Sequence, residues 1–302
     1  MSRKKDVLSN IKLIGRREEL ARLRACLKAG RNVLLEGPVG VGKTHLALAV
    51  TEELKRPVFR VDGDGRYSEQ KLSGWFDPPI ALKHGYGPKS FIPGPLTEAM
   101  KQGAVLFINE LNRLPEAVQN VLLPAIDERK ISIPKLGSIS AKPGFTVLAT
   151  QNPKEFVATS HLSEAILDRF DLVVIDYQQQ EEEEEIVRAN LRGFRSQQLH
   201  STLAEKAVSL IRLTRSHSSI KRGASVRAAI ATAQLAAIFS EETNDLEEAF
   251  LKAALMALPT RIEVERELAD EEGEIESLEQ IIKKLMYGMK SKNNSLEKKK
   301  SR

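Results

Sequence analysis

Apolar residues in the first half of the chain gather into five short blocks: Val33–Leu35, Val58–Val61, Ala104–Ile108, Phe145–Ala149 and Leu172–Ile175. Short blocks of this kind bounded by turn formers predict buried strands, and most intervals between them are long enough for crossover helices. Residues 17–28 show helical spacing before the first block, and Lys43–Leu54 form a good helix after it. The pattern predicts an α/β domain with a doubly wound parallel sheet over residues 1–177. Its strand-poor interval, about 74–95, holds Gly74, Pro78, Pro79, Gly85, Gly87, Pro88, Pro93, Gly94 and Pro95, too many breakers for one long helix. A folded insertion is expected there, with packing of Trp75 and Phe76 inside it favoured over an exposed grip on a client. Ile131–Ile133 and Ile139-Ser140, around Pro134–Ser138, predict a hairpin at about 130–145.

After Tyr177 the short β-branched blocks stop and helical spacing takes over, which predicts an all-helical module over 178–258. Residues 181–193 open on five glutamates, read as an exposed helix start, and Thr202 with Glu205 has capping-box spacing. Residues 224–239 are rich in alanine, and Leu246, Phe250, Ala254 and Leu258 recur every four residues. Pro259 ends this module. A charged helix over 261–287 and a basic tail complete the third segment, 259–302.

Composition narrows the class. A chain of 302 residues with 41% hydrophobic and 29% charged residues is ordinary for a globular protein. Cys26, the single cysteine, excludes an internal disulfide, no run is long and apolar enough to span a membrane, and the first residues lack the apolar core of a secretory signal. A cytoplasmic protein is expected. The net charge of +5 sits in the tails: residues 283–302 carry eight basic side chains against one glutamate, residues 3–6 three against one aspartate, and the body between is left at −4. A nucleic-acid partner is therefore disfavoured, since channels for such chains are basic. Five histidines without ligand spacing disfavour a zinc site.

The candidate chemistry centres on Gly37-Pro38-Val39-Gly40-Val41-Gly42-Lys43-Thr44, which fits G-x-x-x-x-G-K-[ST] between an expected strand and an expected helix. Glycines at this spacing let backbone N–H groups curl around phosphate oxygens at a helix N-terminus. Lys43 would reach the β- and γ-phosphates, and the Thr44 hydroxyl would bind Mg²⁺. The segment that contacts ATP is taken as Gly37 through Thr44 with His45. Val105–Ile108 is an apolar strand ending in Asn109 and Glu110, as where ligand chemistry sits at the carboxyl ends of strands. Glu110 would polarise the attacking water. Asn109 stands beside it as a metal-site residue; an amide can hold a water bound to Mg²⁺ but lacks a carboxylate's charge, so metal affinity should fall.

With these motifs in order, residues 13–258 resemble AAA+ ATPases, and among them the MoxR group, whose second motif continues as Asn109-Glu110-Leu111-Asn112-Arg113. The resemblance implies further roles. Thr150-Gln151-Asn152-Pro153 is similar to the sensor-1 segment, with the Asn152 amide near the γ-phosphate. Leu167-Asp168-Arg169-Phe170 resembles the arginine-finger segment, Arg169 acting on the adjacent subunit's nucleotide; the alternative is a salt bridge to Asp168 or Asp171. Gly223-Ala224-Ser225-Val226-Arg227-Ala228 resembles the sensor-2 helix start, with Val226 where the usual form has proline and Arg227 retained. Ile14-Gly15-Arg16 is similar to the segment lining the adenine pocket, and Arg113 is a second candidate for the subunit interface. The resemblance implies a ring, a hexamer in this family, that hydrolyses ATP to remodel a protein client, with a von Willebrand A-domain partner. Alternatives are a nucleic-acid motor like the McrB-type NTPases and a weakly hydrolysing nucleotide switch or scaffold.

Overall fold

The computed structural model describes residues 13–152, 162–193, 197–243, 245–264 and 277–288. Its contacts divide the chain into two units, Met1–Asp176 and Tyr177–Arg302. In chain order the first unit contains α1 (Arg17–Lys28), β1 (Val33–Glu36), α2 (Lys43–Glu53), β2 (Val58–Asp62), α3 (Glu69–Ser73), β3 (Gly74–Phe76) and α4 (Pro78–His84). It continues through β4 (Phe91–Pro93), α5 (Pro95–Gln102), β5 (Val105–Asn109), α6 (Glu116–Asn120), α7 (Leu122–Asp127), β6 (Lys130–Ile133), β7 (Gly137–Ser140), β8 (Thr146–Gln151), α8 (Glu164–Leu167) and β9 (Asp171–Val174).

Five strands form one parallel sheet in the order β2-β5-β8-β1-β9. The inner strands β5, β8 and β1 are buried at every position but the last, whereas the outer strands β2 and β9 each bury only one residue fully. Continuous apolar blocks are what a strand covered on both faces needs, which is why the inner strands are the plainest in the sequence. Because all five run the same way, the polar residues that end the inner blocks, Glu36, Asn109 and Gln151, come out on one edge of the sheet.

The interval 74–95 is not free of strands: β3 and β4 pair antiparallel, with Trp75 opposite Ile92, and α4 lies between them. Pro78 and Pro79 start α4, where a missing N–H costs nothing, and Asp77 caps it by accepting from Ile80 N at 3.1 Å. Phe76 packs edge-on against Tyr86 and Phe91, while Trp75 remains 43% exposed. β6 and β7 form the antiparallel hairpin immediately before β8.

The second unit is helical, built from α9 (Gln180–Asn190), α10 (Gln197–Ser216), α11 (Val226–Glu242), α12 (Leu246–Ala257) and a helix over 278–288. Within its core, small side chains mark the contact of two helices: Ala228, Ala229, Ala233, Ala236, Ala253 and Ala254 bring α11 and α12 close around Phe250. Three expectations change here. A short antiparallel pair, Ile220–Arg222 with Glu263–Val264, joins the helices, so residues 263–264 interrupt the helix expected over 261–287; residues 265–276 lie outside the described residues. α10 runs unbroken through Thr202, because the apolar positions Leu199 and Leu203 carry its packed face back past the capping-box spacing. The glutamate run is not wholly a solvent face: Glu183 is buried and pairs with Arg212 at 3.1 Å and Arg215 at 2.8 Å. The basic tail beyond residue 288 also lies outside the described residues. No described helix is long and apolar enough to cross a membrane.

The site is carried by the inner strands, and Phe107 at the centre of β5 is fully buried. Phe107→Ala is expected to lower stability by about 3–5 kcal/mol in urea unfolding; a loss under about 1 kcal/mol would contradict this account of the first unit.

Candidate functional site

The loop between β1 and α2 is shaped by Gly40 and Gly42, whose φ angles of 82° and 95° lie in the left-handed region. Gly42 is the N-cap of α2, and no acidic side chain stands in that helix's first turn to offset its positive end. A helix start of this kind, entered through a glycine turn, offers backbone N–H groups to an anion. Gly37 is held for a different reason: a Cβ there would lie 1.9 Å from the Ile175 carbonyl oxygen. Lys43 is only 8% exposed, and its Nζ donates to Gly37 O at 2.6 Å, Pro38 O at 2.8 Å and Asn152 Oδ1 at 2.9 Å. The ammonium is thus turned back over the loop.

At the ends of β5 and β8 the polar groups converge on Asn109. Its Oδ1 accepts from Thr44 Oγ1 at 3.0 Å and from Thr150 Oγ1 at 3.2 Å, while its Nδ2 donates to Asp62 Oδ1 at 3.1 Å. Glu110 follows in a left-handed conformation, φ 60° and ψ 60°, with its N–H donating to Thr150 Oγ1 at 2.9 Å. Such a backbone is strained for a non-glycine residue by about 1–3 kcal/mol and persists only where neighbours hold it. Its carboxylate accepts from Asn152 Nδ2 at 3.3 Å and pairs with Arg113 Nη1 at 3.0 Å. Asn152 therefore lies between Lys43 and Glu110, its oxygen towards the cation and its nitrogen towards the anion. Burial, then the charge of Asp62, pushes the Tyr67 phenol up from its ordinary value, so it stays protonated at neutral pH.

The structure thus brings together Lys43, Thr44, Asn109, Glu110 and Asn152. The Thr44 and Asn109 oxygens suit a hard cation such as Mg²⁺. Among the described residues no group of three His, Cys, Asp or Glu side chains is placed to hold a metal. His45 is exposed in the first turn of α2, and Ile14 and Gly15 are half-buried in the segment before α1. Arg169 stands outside the cluster: its Nε donates to Asp127 at 2.6 and 2.7 Å, and among the described residues its carboxylate partner is Asp127, not Asp168 or Asp171. Arg227 is exposed near the start of α11 in the second unit. Pro153 lies outside the described residues.

Two contributors, Asp62 and Gly63, were not legible in the sequence, and Arg16, read there only within the segment similar to an adenine-pocket lining, also braces the phosphate loop. Arg16, buried with φ 61°, donates to Val41 O of the phosphate loop at 3.1 Å and to Asp176 O at 2.5 Å. Asp62 touches Asn109, and Gly63 donates its N–H to Asn109 O at 2.7 Å. A Cβ on Gly63 would lie 2.1 Å from Glu110 O.

Comparison with known proteins agrees with this geometry. The AAA domain of the dynein-related subfamily matches residues 32–170. A gas vesicle ATPase, GvpN of Haloferax mediterranei, is 31% identical over 229 residues, which span 70% of this chain but 64% of that protein. YojN of Bacillus subtilis is 32% identical over 213 residues, covering 70% of this chain and 69% of its own. The RuvB Holliday junction branch migration motor of Thermotoga maritima shares the fold, with a TM-score of 0.51 at 21% identity over 80% of this chain and 70% of that one. The phosphate loop, the Asn109-Glu110 strand end and these relatives together identify the chain as a P-loop enzyme that hydrolyses ATP, a member of the AAA ATPase family.

Proposed function

We propose that the chain is a ring-forming ATPase of the MoxR type that works in the cytoplasm and uses ATP hydrolysis to remodel or activate a protein client. The reading is carried by one observation, the convergence of Lys43, Thr44, Asn109, Glu110 and Asn152 at the carboxyl ends of adjacent parallel strands. In it the loop from Gly37 to Thr44, with His45, holds the phosphates, and Ile14 and Gly15 line the base. Thr44 and Asn109 would hold Mg²⁺, which when bound neutralises charge on the β- and γ-phosphoryl oxygens. Lys43 exchanges its carbonyl partners for phosphate oxygens. Glu110 takes the proton of the attacking water, and Asn152 orients that water against the γ-phosphate.

Arg169 completes the site from a neighbouring copy. Its tie to Asp127 within the chain leaves it no part in the cluster of its own loop, which favours action in trans. Head-to-tail contacts of that kind close into rings, a hexamer in this reading. Arg227 would couple the nucleotide's state to the helical unit. The charge of −4 on the body favours a protein client over nucleic acid, and a von Willebrand A-domain protein is the partner this family type suggests.

Lys43→Ala is expected to abolish ATP hydrolysis. Glu110→Gln should keep nucleotide binding in calorimetry while phosphate release falls by at least about 10²-fold; wild-type turnover in Glu110→Gln would remove Glu110 from the chemistry. Mixing Arg169→Ala with Lys43→Ala subunits should restore part of the activity that each lacks, because mixed rings contain sites with both groups intact. A mixture no more active than either variant alone overturns the action in trans. Stimulation of phosphate release by DNA or RNA that vanishes with salt would replace the protein client by nucleic acid.

A further inference from the structure

We propose that Asp62 is a positioning residue for the metal: it holds the Asn109 amide with its oxygen towards Thr44. This rests on the nucleotide site proposed above. A carboxylate at position 109 would present two equivalent oxygens, but an amide presents one oxygen and one NH₂. With the Asn109 oxygen facing it, the Thr44 hydroxyl donates its proton to Oδ1 at 3.0 Å and keeps its own lone pairs for a cation. Neither Thr44 nor Thr150 fixes which way the amide lies, because a hydroxyl either donates or accepts.

Asp62 does fix it. An ionised carboxylate accepts only, and Asp62 Oδ1 stands 3.1 Å from Asn109 Nδ2, directly opposite in the register of β2 with β5. Turning the amide over would set oxygen against oxygen. Asp62 is itself held, with Arg60 Nε at 3.0 and 3.1 Å and Arg60 Nη2 at 2.7 Å. That bidentate pair offsets its charge and leaves its direction, so the role is orientation and not an added negative charge. Gly63, bonded to Asn109 O and pressed on Glu110 O, fastens the same strand end. Asp62 is 60% exposed and lines an open groove of about 690 Å³ with Tyr67, Lys71 and Arg113, so truncating it leaves the core untouched.

The test is Mn²⁺ binding, followed by electron spin resonance, to the full chain saturated with a non-hydrolysable ATP analogue, beside binding of the analogue in EDTA. Asp62→Ala should raise the half-saturating metal concentration by roughly three- to tenfold, the worth of one net hydrogen bond, with analogue affinity in EDTA unchanged. Asp62→Asn carries a donor as well as an acceptor, so it orients the amide less firmly and should fall between the wild type and Asp62→Ala. Asn109→Asp alone sets two carboxylates against each other and should bind metal less tightly than the double variant Asp62→Asn/Asn109→Asp, in which the two groups are exchanged. Equal half-saturation in the wild type and Asp62→Ala overturns the proposal, as does an equal loss of analogue binding in EDTA, which marks a merely structural role. A wild-type chain that takes up no nucleotide overturns the site itself, and this inference with it.

Discussion

The insertion of β8 between β1 and β5 is the constraint on which the chemistry of the first unit depends. Two steps of about 4.8 Å across a sheet separate the strand before the phosphate loop from the strand that ends in Glu110. β8 and the residue after it fill that interval: Thr150 bonds the end of β5, and Asn152 joins groups from both sides. The Thr150 hydroxyl bonds both the Asn109 side chain and the N–H of the strained Glu110 backbone. Asn152 separates Lys43 from Glu110 with a single amide. The amide keeps the ammonium and the carboxylate from closing directly on each other, and Glu110 pairs with Arg113 instead.

The bonds that hold the site are of a kind a charged ligand can displace. Among the described residues Lys43 donates to two backbone carbonyls and an amide oxygen, which are neutral acceptors. A phosphate oxygen adds to the ammonium's hydrogen bond a charge–charge attraction that a neutral carbonyl lacks, so the exchange runs towards the anion. The α2 start adds to it, since its first turn contains no carboxylate to compete. Arg16 braces the loop from behind through Val41 O, so the lysine can change partners while the backbone beneath it keeps its shape.

What was legible in the sequence follows from the range of the interactions. The inner strands, the phosphate loop and the Asn109-Glu110 strand end are local patterns, readable from period and spacing. Asp62 and Gly63 are not: nothing around residues 62–63 signals that β2 will lie beside β5, and their function exists only in that register. Arg169 is similar. Its neighbours Asp168 and Asp171 were the partners sequence could offer, yet Asp127 on α7 provides the carboxylate. The pair Ile220–Arg222 with Glu263–Val264 is too short to show a period. The Thr202 spacing misled because a capping box is a local signal, and the packed face of α10 extends upstream of it. Prolines read as breakers in the insertion serve as the first turn of α4, a role that depends on Asp77 capping the turn ahead of them.

Magnitudes decide whether a guanidinium already tied down can serve a neighbouring site. The Arg169–Asp127 pair is partly exposed, with side chains 29% and 39% accessible. Ion pairs of that exposure are worth about 0.2–1 kcal/mol, because water and salt screen them. An arginine placed against the charge that develops in phosphoryl transfer changes the rate by about 10³–10⁵, or roughly 4–7 kcal/mol of barrier. Releasing Arg169 from Asp127 thus costs a small part of what it would supply at a γ-phosphate. In the proposed ring, Asp127 would be the partner that Arg169 gives up for a stronger anion on an adjoining copy.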